Sequence, residues 1–448
     1  MSAPVAYGID LGTTNSAISV AYDDGSVQVL SVPEELTQSL IYLHRNENRL
    51  VGEEAVRAYL DTASARTSCS RCDLVEWAQG AFFPDCRNCT SGGGCFDARI
   101  IAQIKAEMAN EDFHGTHSWA QDFEIEDLVS IIMSRLKKAA DRQLGVSVNR
   151  VTVGRPVRFA GTEGEDFARL QALAETRLTS AAQRAGFTEH VELMAESKAA
   201  VAVEGVEAGV LLCLDFGGGT FDVALIDVRG TRSEVLALNG VAVGGEEFDA
   251  KIFDALIAPA LGLDSEFTLA NGQVRQLPAE LRSKLRSLRG VNELMSDNLA
   301  AGASTILAGL DNDEVLDRVN ALVTGGASWR LFQAIKNAKH DLSDATETSI
   351  DVRAGELNLT VPITREDFES AIEEDLQQVR YCIEDALEDA GVEVDEVAYV
   401  SRTGGSSKIP AFHRIVEDTF VDAEHVQMDP FTSVVQGLGR HAYEVWSA

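Results

Sequence analysis

Basic residues are scarce in this chain. Its 448 residues carry 38 Lys and Arg against 71 Asp and Glu, a formal net charge of −33, and nine of the cations are lysines. Binding to a nucleic-acid backbone or an anionic membrane needs clustered Lys and Arg, so neither is expected, and only a local basic site remains open. No apolar run approaches the roughly 18–20 residues of a membrane span. The first residues, "MSAPVAYGID", lack the basic and apolar regions of a secretory signal. A cytoplasmic protein is expected. No Ser/Pro-rich linker divides the chain, so its parts should be closely joined. Two explanations fit the acidic, lysine-poor composition: adaptation to salt or a high-GC source, and compositional drift. The dependence of stability on added salt separates them.

The chain is too long for one compact core, and two or three domains or a large two-lobed unit are expected. Hydrophobic residues make up 45% of the sequence, enough for ordinary globular cores. Strands read from alternation at "VAYGIDL", "SAISVAY" and "SVQVLSV", the last following the turn "DDG". "IEDLVSIIMSRLKKAADRQL" and "FARLQALAETRLTSAAQRAGF" have helical spacing, the second stopping near Gly186. "NRVTVGRPVRF" is a strand with a proline at its end. Residues 250–345 read as mostly helical, with a looser stretch at "TLANGQVRQLP". Strands return at "ETSIDVRAGELNLTVPI". One long acidic helix, "REDFESAIEEDLQQVRYCIEDALEDAG", then precedes the strand "EVAYVSR".

One layout occurs twice. "YGIDLGTTNSAISV" sets a strand, Asp10, the turn Gly12-Thr13-Thr14-Asn15 and a second strand. "GVLLCLDFGGGTFDVALIDV" repeats it with Asp215, Gly217-Gly218-Gly219-Thr220 and Asp222. A glycine-rich hairpin lets backbone N–H groups converge on an anion, and threonine hydroxyls add donors. A carboxylate at the end of each strand would repel phosphate unless a divalent cation lay between them. Mg²⁺ is held in this way, by a few carboxylates, waters and the phosphates themselves. The competing reading is a pair of ordinary tight turns, in which Asp and Gly are common. A third glycine motif, "RTGGSSKIPAF", opens a helix after "EVAYVS" and lets a ligand approach the backbone of Gly404 and Gly405.

These motifs resemble the nucleotide-binding domain of DnaK-type heat-shock chaperones, within the actin, sugar-kinase and heat-shock ATPase superfamily. "GIDLGTTNS" and "DFGGGTFD" are similar to its two phosphate motifs, and "GGSSKIP" to its adenosine motif, with Gly404, Gly405, Ser406 and Lys408. "GVAVGGEEFD", holding Gly244, Gly245 and Glu246, is similar to a further family segment. The resemblance covers nearly the whole chain. It implies an α/β actin-like ATPase fold, two lobes on ribonuclease-H-like sheets with the nucleotide between them. Lobe I would span 1–208, with an insert at about 66–97. Lobe II would span 209–428, with a mostly helical subdomain at about 250–345. A C-terminal helix, 429–448, would return to lobe I. It further implies ATP or ADP with Mg²⁺, Asp10 and Asp215 acting through water, and a slow ATPase. Asp10, Asp215 and Asp222 match the acidic residues around the metal and the attacking water. Thr13, Thr14 and Thr220 match phosphate contacts. Glu196 would position the water, and Lys105 is the candidate catalytic lysine. Lys339 and Ser343 match adenosine contacts, and Asp429 the last adenosine-side acid. Lys336 stands where the family has Glu. "VTVGRPVRF" departs from the family's Val-Pro-Ala-Tyr-Phe and is similar to short bacterial homologues of the YegD type. The sequence ends at "GRHAYEVWSA", so no peptide-binding domain is expected. A partner protein or co-chaperone should carry any chaperone role, and a monomer is expected.

Seven cysteines are present. Cys69/Cys72 and Cys86/Cys89 form two C-x₂-C pairs at the spacing of a structural Zn²⁺ site. Disulfides or free thiols are the alternative, disfavoured in a reducing compartment, and Cys95 could replace one ligand. A metal-bearing knob of this kind suits docking of a partner. Cys213 and Cys382 read as core residues, and His114 and His117 as surface. Two other function classes stay open beside the ATPase switch: a nucleotide sensor or scaffold without turnover, and a small-molecule kinase of the same superfamily.

Overall fold

The computed structural model describes residues 2–32, 36–44, 49–64, 98–118, 121–160, 162, 166–200, 206, 208–229, 232–264, 266–268, 273–277, 279–294, 313–324, 327–354, 357–427 and 432–446. Asp429 and the four paired cysteines, Cys69, Cys72, Cys86 and Cys89, lie outside the described residues, as does Cys95.

Two mixed sheets organise the molecule, and their strand orders match. In the first, the Pro4–Leu11 strand pairs antiparallel with Asn15–Tyr22, which pairs antiparallel with Val27–Leu30. On its other side Pro4–Leu11 pairs parallel with Arg150–Arg155, and that strand pairs parallel with His190–Ala195. In the second, Ala208–Phe216, Phe221–Arg229 and Arg232–Val241 form the antiparallel run. Val397–Thr403 and Glu424–Gln427 then add in parallel on the far side of Ala208–Phe216. A parallel partner needs a long crossover, and helices supply it in both halves. In each sheet the strand that ends on the motif aspartate is therefore central, with neighbours on both sides.

The helices follow from apolar spacing. Ile125–Leu144 buries Ile125, Leu128, Val129, Ile132, Met133, Leu136 and Ala140 on one face, starts with a reciprocal Glu124/Asp127 capping box and stops at Gly145, φ 71°. Phe167–Arg184 packs beside it. Two large apolar cores result. One is built on Tyr7, Ile9, Ile18, Val151 and these two helices. The other is built on Leu212, Phe216, Phe221, Phe248 and Phe412, whose rings meet edge to face around Phe216.

Two expected elements differ. The single acidic helix is split into Arg365–Ala371 and Glu373–Ala390 at Ile372, whose backbone (φ −104°, ψ 8°) leaves the helical region. Phe368 and Ile372 itself, four residues apart, are both buried in the core. The loose stretch after residue 265 contains two short antiparallel strands, Glu266–Thr268 and Val274–Gln276.

The Ser433–Trp446 helix packs on the first sheet. Its glycines make that approach possible: a Cβ on Gly8 would sit 2.5 Å from the Gly439 nitrogen, and one on Gly437 would sit 1.7 Å from the Ala199 carbonyl. Ser19 Oγ donates to the Val435 carbonyl at 2.6 Å within this contact. Among the described residues no helix is long and apolar enough to cross a membrane.

Candidate nucleotide site

A cavity of about 1020 Å³ opens between the two sheets, lined from both halves of the chain. The first hairpin brings Asp10, Gly12, Thr13, Thr14 and Asn15 to its wall. The second brings Asp215, Gly217, Gly218, Gly219 and Thr220 to the facing wall. The turns fit together closely. A Cβ on Gly218 would lie 2.6 Å from Thr14 Oγ1, and one on Gly219 would lie 3.0 Å from Thr13 Oγ1. Gly12 has the same need within its own turn, where a Cβ would meet the Asn15 carbonyl at 2.1 Å. Gly245, Glu246, Lys339, Ser343, Gly404, Gly405, Ser406 and Lys408 also line the cavity, while Gly244 sits behind, 2.5 Å from the Gly218 carbonyl were it given a Cβ.

Carboxylates crowd the floor. Asp215 and Asp222 are directly opposite across the second hairpin, and Asp10 ends the corresponding strand of the first. Glu196 opens the short Glu196–Ala200 helix after the His190–Ala195 strand. Lys105 rises from the Ile104–Glu107 3₁₀ turn, and its Nζ donates to Glu196 Oε1 at 2.6 Å, both groups buried. Burial pushes the Asp10 carboxyl up to about 7, with the Glu196 charge adding and Lys105 opposing. Asp222 is pushed to about 7 by burial and Glu196, against hydrogen bonds from Thr220 Oγ1 at 2.9 Å and the Val157 N–H at 2.7 Å. Asp215 is held well above the ordinary carboxylate range by burial and then by Glu196, Asp222 and Asp10. Burial lowers the Lys105 ammonium, but Glu196 and Asp10 outweigh it and its pKa rises overall. One ammonium therefore stands among four carboxylates, Asp10, Glu196, Asp215 and Asp222, and is already paired to one of them. Such a floor is unfavourable by itself. A divalent cation suits it: Asp10 and Asp215 line the cavity without a side-chain hydrogen bond among the described residues.

Asp222 is placed differently. It does not line the cavity but lies beneath it, 1% exposed, with both oxygens engaged. It fixes the Thr220 hydroxyl and the Val157 backbone, so the "GRPV" segment is tied directly to the second turn.

Opposite the floor, Thr14 Oγ1 donates to Glu246 Oε1 at 3.4 Å across the two halves. Burial, then Asp249, pushes the Glu246 carboxyl up to about 7, with Lys336, Lys339 and the Gln103 side chain opposing. Lys339 pairs with Asp249 at 2.6 Å and donates to the Gly245 carbonyl. Ser406 Oγ donates to the Gly217 carbonyl at 2.8 Å, and a Cβ on Gly404, φ 82°, would meet the Phe216 carbonyl at 2.3 Å. The third glycine motif thus braces the second turn from behind.

Sequence reasoning missed much of the remaining wall, including Gln103, Arg286, Leu288, Trp329 and Phe332. Gln103 has φ 60°, left-handed without being glycine, immediately before the Lys105 turn. Trp329 and Phe332 join Tyr42, Tyr59, Ile100 and Leu288 in an apolar cluster bridging the two halves. Beside it Arg289 pairs with the buried Glu107. His114 is exposed, and Cys213 and Cys382 are buried thiols. Among the described residues no group of three or more His, Cys, Asp and Glu side chains is arranged to hold a metal ion directly.

A family model described as Hsp70 protein matches residues 6–262 and 317–442. Matched strand orders, facing glycine turns and a cavity between them form the actin-like ATPase fold, and members of that family typically use ATP with Mg²⁺. The chain belongs to the Hsp70 family, and its two-sheet body is that family's nucleotide-binding domain.

Proposed function

We propose that this protein is an ATP-binding, slowly hydrolysing switch of the short YegD type, whose lobe closure is read by a partner protein. One observation carries the reading: the two glycine turns face each other over Asp10, Glu196, Asp215 and the buried Lys105, with the buried Asp222 beneath them. Backbone N–H groups of Gly12–Asn15 and Gly217–Thr220, with the hydroxyls of Thr13, Thr14 and Thr220, would hold the β- and γ-phosphates. The Lys105 ammonium would offset charge developing on the γ-phosphate, and the Glu196 carboxylate, freed from it, would orient the attacking water. Asp222 would keep the Thr220 hydroxyl in place. Mg²⁺, held by Asp10 and Asp215 through water, would screen the phosphates from the carboxylates. Lys339, Ser343 and the Gly404–Ser406 backbone would take the nucleoside, joined there by Asp429.

The test is purified protein with Mg²⁺ and ATP. Phosphate release without an acceptor supports the switch. Release that depends on an added sugar would replace it with a kinase, and tight binding without turnover with a sensor. We further propose a structural Zn²⁺ on Cys69, Cys72, Cys86 and Cys89, with the insert as docking knob in a cytoplasmic monomer. Metal analysis should find close to one Zn²⁺ per chain, lost on replacing Cys69 and Cys72 by Ser with nucleotide binding retained. A metal-free preparation of the unaltered protein would remove that part.

A further inference from the structure

Away from the glycine turns, Lys336, His340, Ser343, Asp344 and Lys408 line the cavity. Four of the chain's nine lysines, Lys105, Lys336, Lys339 and Lys408, line this one cavity. In a chain of net charge −33 that placement is selective. Lys105 is paired with Glu196 and Lys339 with Asp249, and Lys408 also has an interaction partner. Lys336 differs. It is half-buried on the Ala327–Asp344 helix, and among the described residues it has no hydrogen bond and no carboxylate at ion-pair distance. Glu246 and Asp249 attract it from farther away and Lys339 repels it; burial and that repulsion leave its ammonium below the usual lysine range. The protein supplies a cation here and leaves it without a close counter-charge.

Position says what would complete it. Lys336, Lys339 and Ser343 recur at three- and four-residue spacing, so they share one face of the helix. A nucleotide whose phosphates lie between the two turns can extend its ribose and base along the cavity to that face, which lines it. A carboxylate beside a ribose accepts from its hydroxyls. A cation beside it favours a phosphorylated ribose instead, the same distinction that separates the two kinds of dinucleotide site. An ammonium offers donors only.

We propose that this cleft takes a nucleotide bearing a phosphate on its ribose 2′ or 3′ oxygen, with Lys336 as the residue that pairs with that phosphate. The inference rests on the nucleotide-binding reading above. Lys408 lines the same part of the cavity and adds a second positive charge, while burial and the neighbouring lysines push the His340 imidazole down to about 4 and leave it a neutral hydrogen-bonding group.

The test is calorimetric titration of the full chain, with Mg²⁺ present, by ADP and by ADP phosphorylated at the 2′ or the 3′ oxygen. One of the phosphorylated forms should bind about tenfold to a hundredfold more tightly than ADP, the range of one charge-assisted pair. Lys336→Gln should abolish that preference, and Lys336→Glu should reverse it, with ADP binding in each variant showing that the cleft still forms. ADP binding as tightly as both phosphorylated forms in the unaltered protein would overturn the inference alone. Failure of all three to bind would overturn the nucleotide reading and this inference with it.

Discussion

The two hairpin turns share a plan and differ in what they offer. The first ends on a carboxylate opposite Ala17 and presents threonine side chains. The second sets Asp215 opposite Asp222 and presents bare backbone, so that Thr13 and Thr14 can come within contact of Gly218 and Gly219. Side chains come from one half and space for them from the other. A duplicated layout has become a matched pair, and the two additional glycines in the second turn are the mark of that division.

The largest expected effect separates the carboxylates. Asp10→Asn should lower ATP turnover about a hundredfold and leave the melting temperature close to that of the unaltered protein, because Asp10 makes no side-chain hydrogen bond among the described residues. Asp222→Ala should do the reverse in emphasis. It leaves the Val157 N–H and the Thr220 hydroxyl without their acceptor, for a loss of about 2–3 kcal/mol in denaturant unfolding. Equal effects of the two variants on both readouts would erase the distinction between floor and underpinning.

Next come the glycines. Gly12→Ala drives a Cβ against the Asn15 carbonyl and requires the backbone to move, about 2–3 kcal/mol. Gly218→Ala meets a side chain, Thr14 Oγ1, and should be partly rescued by Thr14→Ala, with a coupling of about 1 kcal/mol in a double-mutant cycle. Simple additivity would mean that the two turns do not interlock.

A smaller effect concerns Glu246, which ties the second half to Thr14. Its carboxyl stands at about 7 in the fold against 4.5 ordinarily, raised by burial and then by Asp249. The folded form therefore holds this proton more tightly than the unfolded chain does. The stability it contributes is present at low pH and is lost as pH rises from about 4.5 through about 7, by on the order of 3 kcal/mol. Glu246→Gln should flatten that decline in the ligand-free protein, followed by thermal melts from pH 4.5 to 8. An unchanged slope would remove Glu246 from the account.

Much of the fold and of the site is legible in the amino-acid order alone. Alternation marks the strands, glycine runs mark the turns, and apolar spacing marks the Ile125–Leu144 and Phe167–Arg184 helices, because those signals are local. The break at Ile372 is not legible, since helical spacing runs unbroken through it, with Phe368 and Ile372 four residues apart on one buried face. The Lys105–Glu196 pair joins residues 91 positions apart. Likewise, nothing near Val157 announces that its N–H serves Asp222. Gln103 carries no sequence sign of a left-handed backbone, and Trp329 and Phe332 look like ordinary helix residues until the halves meet.

That meeting has a kinetic consequence. The Leu288–Leu294 helix touches the Ala98–Ile101 strand across the cavity, where Tyr42, Tyr59 and Ile100 pack with Leu288, Trp329 and Phe332. A bound molecule can leave through this side only after that apolar contact has opened to water. For a molecule leaving by this route the contact is a door, and the work of opening it adds to the ligand's own grip on the turns. Such a door is closed by a force that is mainly entropic near room temperature, so the ligand's dwell time takes its temperature dependence from the seal as well as from the ligand.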